Sequence, residues 1–276
     1  MDSQKGVFIN ECTELFRQCS GNRITIPGLG ELMIYDEPII GFASVTDELF
    51  ERYKQPEVIG SMFWSPTEWL PGAKTVISIF FPSSEAVRSS NREDRNVPST
   101  GWVYARYEGQ QFIDAFMRTL AGRLSEQGIK VCIPSLDERL GMQYETVENV
   151  NGQDFHVNNR WSERHAAYAC GLGTFGLSRG LITRRGIAGR FSSLIIDVAF
   201  EPDERTYSGV YDNCIRCGAC VRNCPAGAIS LERGKNNVLC SEYQNKFKEQ
   251  FAPRYGCGKC QVGVPCEYRA PGTLSR

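Results

Sequence analysis

The stretch Cys214-Ile215-Arg216-Cys217-Gly218-Ala219-Cys220-Val221-Arg222-Asn223-Cys224-Pro225 decides the fold of the last quarter of the chain. Two residues separate each of the first three cysteines, and a fourth cysteine follows directly before a proline. With this C-x2-C-x2-C-x3-C-P spacing, three thiolates can wrap a short loop around one iron–sulfur cubane. The stretch therefore predicts [4Fe–4S] binding.

Further cysteines downstream complete the set of ligands. Cys240 stands alone, and a Cys257-Gly258-Lys259-Cys260 pair precedes Cys266. In two-cluster ferredoxins the fourth cysteine of the first run binds the other cluster. The eight thiols therefore predict two [4Fe–4S] clusters in a crossed arrangement: Cys214, Cys217, Cys220 and Cys266 hold one, and Cys224, Cys240, Cys257 and Cys260 hold the other. The second motif departs from the ferredoxin repeat, so the ligand set is better defined than its partition.

Zinc is the competing interpretation of this cysteine-rich segment, since two C-x2-C pairs can also form tetrahedral four-thiolate sites. Three cysteines at successive three-residue intervals followed by Cys-Pro favour iron–sulfur clusters instead. Residues 209–276 carry ten Lys and Arg against five Asp and Glu. Basic residues near anionic clusters would raise their potentials, and a basic surface for docking a redox donor explains the surplus equally well.

Composition predicts an ordinary soluble globular protein. It has 276 residues and a formal net charge of -1, which does not indicate a broad nucleic-acid-binding surface. Its best apolar run, Val76 to Phe81, is far shorter than the ~20 residues of a membrane span. The N-terminus shows no export signal, so we expect a cytoplasmic location, where cysteines serve as thiols or metal ligands.

Hydrophobic periodicity predicts an α/β organisation for the first 208 residues. We expect a polar surface loop or lid over residues 83–100 and an antiparallel pair formed by the runs 180–185 and 189–200. The remaining elements are helices over 7–19, 107–127 and 162–171, and strands over 73–82 and 130–134. Four cysteines outside the C-terminal segment are expected to be core residues: Cys12, Cys19, Cys132 and Cys170.

The glycine-rich segment Gly171-Leu172-Gly173-Thr174-Phe175-Gly176 contains G-x-G-x-x-G. A dinucleotide-binding fingerprint must follow a strand and open a helix, whereas this segment follows a predicted helix. A nicotinamide site is therefore not predicted. The backbone amides could hold a phosphate or an amide-rich ligand, or the glycines could only end a helix and permit tight packing.

The segment Ser162-Glu163-Arg164-His165-Ala166-Ala167-Tyr168-Ala169-Cys170-Gly171-Leu172-Gly173-Thr174-Phe175-Gly176 leads to a family resemblance. Together with the Gly189-x-x-Ser192-Ser193-Leu194-Ile195-Ile196 stretch and the cysteine segment, it resembles the epoxyqueuosine reductases and the related reductive dehalogenases. The resemblance covers roughly residues 65 to 270, and Cys170 replaces the last alanine of the family pattern.

The resemblance implies an α/β (α+β) protein with two domains. A nitroreductase-like domain over 1–208 would bind cobalamin, and a C-terminal ferredoxin-like domain over 209–276 would carry the two clusters. Electrons would come from a ferredoxin or flavodoxin and would pass through the two clusters to the corrinoid. The resemblance therefore implies a cobalamin-dependent reductase. The residues implied to contact the corrinoid are Gly171, Leu172, Gly173, Thr174, Phe175, Gly176, Ser192 and Ser193.

Departures from the family pattern bear on the substrate. The aspartate that serves the epoxyqueuosine reductases as a proposed proton donor has no match here, and Arg106-Tyr107-Glu108 replaces their D-Y-H motif. We also expect the chain to lack their C-terminal extension for tRNA. We therefore expect a small organic substrate rather than a nucleic acid. The alternative is a non-catalytic electron carrier or reductive activator of a partner protein.

Reduction of a C–O or C–X bond consumes protons, so a titratable group should stand near the substrate. His156 is the first candidate for this role and Tyr104 the second. The candidates ranked below them are His165, Tyr107 and Glu108. Glu163 is interpreted as a helix cap and an ion-pair partner of Arg164.

Overall fold

A four-stranded antiparallel sheet forms the centre of the fold. Its strands, in spatial order, are β3 (Ile39–Ser44), β4 (Thr75–Pro82), β10 (Gly189–Ile196) and β5 (Val131–Cys132). The computed structural model describes residues 3–149 and 152–271. All eight residues of β4 are buried, because layers cover both faces of the sheet.

Alternation along β4 divides the core into two parts. Ile77, Ile79 and Phe81 face a layer made by α1 (Ser3–Gln18) and the long α5 (Thr100–Glu126). Val76, on the opposite face, packs toward α6 (Glu163–Ala169). Since successive strand residues point to opposite faces, a single apolar strand serves both layers.

Smaller elements surround this core and complete the part of the chain before the cysteine segment. Three two-stranded sheets pair β1 with β2, β6 with β7, and β8 with β9. Their bounds are β1 Arg23–Ile26, β2 Gly30–Met33, β6 Met142–Asn149, β7 Gly152–Asn159, β8 Gly173–Phe175 and β9 Leu181–Thr183. The short helices are α2 Glu48–Arg52, α3 Pro66–Trp69 and α4 Glu85–Ser90, with 3-10 turns at Pro134–Leu136 and Glu138–Leu140.

The cysteine segment is built mainly from turns and short helices, with one two-stranded sheet, β11 paired with β12. Its elements are α7 Ala219–Arg222, β11 Ile229–Ser230, β12 Gly234–Lys235, α8 Asn237–Asn245, α9 Lys248–Phe251 and a 3-10 turn at Lys259–Gln261. Within the described residues, no helix has the length and apolar character needed to cross a bilayer.

Several sequence-based expectations are confirmed and three are wrong. Cys12, Cys132 and Cys170 are buried in the core, and Cys19 packs against it. The expected pair of strands after residue 180 is wrong, because β9 pairs with β8 while β10 joins the central sheet. Residues 83–100 contain α4 and several buried side chains, so they do not form a surface lid. Helix α5 begins seven residues earlier than expected, at Thr100 with Ser99 as its cap.

Candidate functional site

The eight cysteines of the C-terminal segment line two separate cavities, four in each. The first cavity, of about 20 Å3, is lined by Cys214, Cys217, Cys220 and Cys266. The second cavity, of about 220 Å3, is lined by Cys224, Cys240, Cys257 and Cys260. This grouping coincides with the crossed arrangement expected from the sequence. Within the described residues, no three Cys, His, Asp or Glu side chains come together closely enough to hold a single metal ion.

Left-handed backbone at two positions shapes the loops that carry these thiols. Gly218, between two cysteines of the first cavity, has a φ of 71°. Gly258, between two cysteines of the second, has a φ of 67°, and a Cβ there would collide with the indole of Trp102. Glycine tolerates this conformation and this close approach, whereas a residue with a side chain would not. The cysteine loop therefore fits directly against α5.

Two thiols of the second cavity accept hydrogen bonds from N–H groups. The backbone N–H of Ala228 donates to Cys224 Sγ at 3.3 Å, and Gln244 Nε2 donates to Cys240 Sγ at the same distance. Hydrogen bonds to sulfur stabilise thiolate character and raise the potential of a bound cluster. Both donors suit sulfur atoms that carry negative charge.

Burial acts on the thiols in the opposite direction. Burial and the neighbouring thiols raise the pKa of Cys266 to about 12, and burial raises the pKa of Cys220 to about 11. These groups are therefore protonated thiols at neutral pH unless a metal offsets their charge. Helix α7, which carries Cys220 of the first cavity, contacts the 3-10 turn Lys259–Gln261, which carries Cys260 of the second. The two cavities therefore lie side by side.

The second cavity lies where the cysteine segment meets the rest of the chain. Lys259 is only 3% exposed, and its Nζ donates to the carbonyl oxygens of Asn91 at 2.8 Å and Asp94 at 2.7 Å. Asn91 Nδ2 donates in turn to the carbonyl oxygen of Cys257 at 3.0 Å. Buried Glu267 forms an ion pair with Arg92. These contacts fix the cysteine loops against the segment that follows β4.

Five cationic side chains line the second cavity together with the four thiols: Arg106, Arg164, Arg190, Lys235 and Lys259. No Asp or Glu is among its lining residues within the described chain. The arginines come from α5, from α6 and from β10, so tertiary packing brings together three elements that are distant in sequence. The side chain of Arg164 is exposed where it borders the cavity.

The two proposed proton donors do not line either cavity. His156 lies on β7, where its Nε2 contacts the carbonyl oxygen of Ile59 at 2.7 Å. Tyr104 lies on α5 beneath the guanidinium of Arg254, which is 3.6 Å from the ring centroid. Arg254 also forms an ion pair with Glu108. Each of these side chains thus has a structural partner, and the roles assigned to His156 and Tyr104 remain predictions.

The glycine-rich segment lies in a close backbone contact. A Cβ at Gly173 would collide with the carbonyl group of Ile182 on β9, to which β8 is paired. Gly176 borders the first cavity, but the rest of the segment lines neither cavity. Ser192 and Ser193 are buried in β10, and Ser193 Oγ accepts a hydrogen bond from Trp161 Nε1 at 2.9 Å. This contact agrees with close packing, the alternative interpretation, and the corrinoid contact of the segment stays a prediction.

The environment of Glu163 does not match the interpretation of this residue as a helix cap and ion-pair partner of Arg164. Both carboxylate oxygens are buried, and neither has a hydrogen bond of normal geometry. Burial raises the pKa of Glu163 to about 7, against the lowering effect of the Ser193 and Ser135 hydroxyls. The side chain therefore lies on the sheet side of α6. His165 is half-buried, and burial followed by the charge of Arg164 lowers its pKa to about 4.

Residues 209–230 match the family model of the 4Fe-4S binding domain. The match covers the run from Cys214 to Cys224 and identifies this segment as a [4Fe–4S] binding element.

Curated relatives cover most of the chain. The epoxyqueuosine reductase of Salmonella typhimurium is 28% identical over 222 residues, which is 75% of this chain and 51% of that protein. That of Escherichia coli K12 is 26% identical over 216 residues, 72% of this chain and 50% of that protein. This chain is similar to the epoxyqueuosine reductases over about three quarters of its length. It spans about half the length of these relatives.

Solved structures of epoxyqueuosine reductases share the fold. One, determined with a tRNA-Tyr epoxyqueuosine-modified tRNA stem loop, superimposes with a TM-score of 0.52 at 17% identity, covering 96% of this chain and 65% of that one. A selenomethionine-labelled epoxyqueuosine reductase gives a TM-score of 0.50 with the same coverage. The mixed α/β architecture with its C-terminal 4Fe-4S segment is therefore that of the epoxyqueuosine reductases.

Proposed function

We propose that this chain is an iron–sulfur reductase that passes electrons through two [4Fe–4S] clusters to a corrinoid and on to a small organic substrate. The single observation that carries the proposal is the grouping of eight cysteines around two adjacent cavities. In this proposal residues 1–208 bind the corrinoid and the substrate, and residues 209–276 bind the clusters.

The chemistry of the donor groups suits the clusters. Each cavity offers four thiols, and N–H donors reach the sulfurs of Cys224 and Cys240 in the second. Bound clusters would supply one-electron transfer, which no side chain of the protein provides. Cys217, in the first cavity, is exposed, and so are Ile215 and Arg216 beside it. The first cavity is therefore the proposed point of contact with a ferredoxin or flavodoxin.

The arginine-lined side of the second cavity, beside the thiols of its proposed cluster, is the proposed position of the corrinoid. Arg106 Nε is buried there without a hydrogen-bond partner, and the exposed side chain of Arg164 makes no hydrogen bond to the described residues. Such donors suit the amide oxygens and the phosphate of a corrinoid. The enclosed volume of about 220 Å3 is below the ~300–1,000 Å3 typical of ligand pockets, so only part of a corrinoid would be enclosed.

Two other functions compete with this proposal. A non-catalytic electron carrier would need no large domain beside its clusters, and the curated relatives are named as reductases. Reduction of epoxyqueuosine in tRNA is favoured by the names of the relatives, and one solved neighbour contains a modified tRNA stem loop. The absence of the family's aspartate and D-Y-H motif from this chain favours a substrate other than epoxyqueuosine in tRNA.

The deciding experiment uses anaerobically reconstituted protein with its clusters in place. Cobalamin is added, excess is removed by gel filtration, and the visible spectrum and cobalt content are measured. We expect about one cobalt per chain. Clusters without retained cobalt would support the carrier instead. Turnover of an epoxyqueuosine-modified tRNA stem loop by the loaded protein would overturn the small organic substrate.

A further inference from the structure

The two cysteine-lined cavities differ in the charge and the hydrogen-bond donors around their thiols. We propose that Lys259, Lys235 and Gln244 give the cluster of the second cavity the higher reduction potential, so that an electron entering at the first cavity is held mainly at the second. This inference rests on the two clusters of the proposed function and adds the direction of electron transfer between them. Reduction adds negative charge to a cluster, so nearby positive charge and hydrogen bonds to sulfur raise its potential.

Lys259 supplies a buried positive charge at the second cavity. It lies between Cys257 and Cys260 in sequence, and it is only 3% exposed. Among the described residues its Nζ donates to neutral oxygens alone, which are both oxygens of Asn91 and the carbonyl oxygen of Asp94. A buried ammonium group that bonds only neutral oxygens favours negative charge in its surroundings. Reduction of the adjacent cluster would supply that charge.

The charges of two lysines act on thiols of the second cavity. Burial raises the pKa of Cys257 to about 11, and the backbone N–H and the charge of Lys259 act against this rise. Burial also raises the pKa of Cys260, and the charge of Lys235 acts against it. Each lysine therefore favours the negative charge of a thiolate-bound cluster.

Gln244 adds a hydrogen-bond donor at a third thiol. It follows Cys240 by one turn of α8, and its Nε2 donates to Cys240 Sγ and to the carbonyl oxygen of Cys240, each at 3.3 Å. The backbone N–H of Ala228 donates to the fourth thiol, Cys224 Sγ. Because the donor of Gln244 belongs to a side chain, its contribution can be removed without changing a cluster ligand.

The first cavity has less charge around its thiols. Its walls are largely apolar and include Ile182, Ile187 and Val264, and Arg216 is the one charged side chain that borders it within the described residues. Arg216 is exposed and donates from Nη2 to the carbonyl oxygen of Leu231 at 2.6 Å. Water and dissolved ions screen an exposed charge much more than a buried one. The buried lysine of the second cavity should therefore act more strongly on its cluster.

Access to water acts in the opposite direction. Cys217 is exposed, so water can stabilise the added electron at the first cavity. Two ammonium groups and two N–H donors at the second cavity should exceed this effect, because charges interact more strongly away from bulk water. One electron then leaves the reduced first cluster, which is oxidised, and reduces the second, while no bond breaks and no proton moves. The electron comes from the ferredoxin or flavodoxin of the proposed function.

Potentiometric titration with dithionite and redox mediators tests the proposal on anaerobically reconstituted, corrinoid-free protein. Electron paramagnetic resonance measures the reduced fraction of each cluster. Cys217→Ser and Cys257→Ser, which should each keep mainly one cluster, identify the signal of each cavity. At the potential where the first cluster is half reduced, we expect a reduced-to-oxidised ratio of at least about ten at the second, which is a difference of about 59 mV for one electron.

Gln244→Met removes the donor to Cys240 Sγ and keeps a side chain of similar length. At a fixed potential it should lower the reduced-to-oxidised ratio of the second cluster about threefold, since one hydrogen bond to a charged group is lost. The ratio of the first cluster should stay the same. Gln250→Met, the same change at an exposed position of α9, is the matched control and should shift neither cluster.

The outcomes separate this inference from the proposed function. An equal or lower potential at the second cavity overturns the inference, and so do unshifted potentials of both clusters in Gln244→Met. The proposed function fails on a different result, the loss of cobalt on gel filtration, because the potentials are measured without a corrinoid. Iron and sulfide contents verify that each variant is loaded.

Discussion

Lys259 Nζ donates to both oxygens of Asn91, to the backbone carbonyl at 2.8 Å and to the side-chain oxygen at 3.0 Å. Lys259 lies between Cys257 and Cys260 in sequence, whereas Asn91 follows α4. The lysine therefore connects the loop of the second cavity to the α/β part of the chain. In the folded protein its ammonium group contacts these oxygens in place of water.

Removal of this ammonium group should loosen the cysteine loop. Lys259→Met leaves buried carbonyl oxygens without a donor, and we expect a loss of about 2 kcal/mol in the free energy of unfolding. Iron content after anaerobic dialysis should fall more for this variant than for Lys248→Met, an exposed change on α9. Equal stability and iron retention in the two variants would contradict the connecting role. Thermal unfolding and iron analysis provide the two measurements.

The cysteine partition predicts selective loss of clusters. Reconstituted protein should contain about eight iron and eight sulfide per chain. Cys217→Ser should remove mainly the cluster of the first cavity and Cys257→Ser mainly that of the second, each leaving about four iron. Stoichiometric zinc without sulfide would exclude the iron–sulfur assignment. Cys12→Ser, a core substitution outside both cavities, should leave the iron-to-sulfide ratio of the folded protein unchanged.

Gly173 provides a test of close packing in the glycine-rich segment. Gly173→Ala places a Cβ against the carbonyl group of Ile182, and we expect a loss of about 2 kcal/mol in the free energy of unfolding. Gly122→Ala, on an exposed position of α5 with open space around it, should stabilise by about 0.5–1 kcal/mol. Denaturation with both variants measures the contrast. Normal stability of Gly173→Ala with impaired cobalamin retention would support the corrinoid contact instead.

The raised pKa of Glu163 predicts that the free energy of unfolding depends on pH. Its pKa is raised from 4.5 to about 7 in the folded protein, so between these values the folded state binds more protons than the unfolded state. The free energy of unfolding should therefore fall as pH rises through this window, by about 3 kcal/mol from this group. Below pH 4.5 the penalty is absent, and above pH 7 it is complete.

Glu163→Gln should remove this contribution, since a neutral amide carries no charge to bury. Melting temperatures measured at pH 5 and pH 8 should differ less in this variant than in the unmodified protein. Glu126→Gln, at the exposed end of α5, should retain the full difference. The same pH difference in both variants would show that another group titrates.

Local sequence patterns were sufficient for several elements because those elements depend on local spacing. The cysteine run predicted the cluster segment, since loop geometry around a cubane is set by the intervals between thiols. The apolar run of β4 and the helical spacing within α5 predicted a buried strand and a long helix. Hairpin β6–β7 was missed, although Asn151-Gly152 between two alternating runs is a hairpin signal; Asn151 itself lies outside the described residues.

Tertiary structure alone decided what surrounds the second cavity. Arg106, Arg164 and Arg190 lie on three elements separated by more than twenty residues, and no sequence motif links them. Their convergence depends on how α5 and α6 pack against β10, which is a property of the whole core. The same packing placed Gly173 against β9 and kept His156 away from the cavities. The sequence by itself thus determined the thiols, and the packing of distant elements determined the charge that surrounds them.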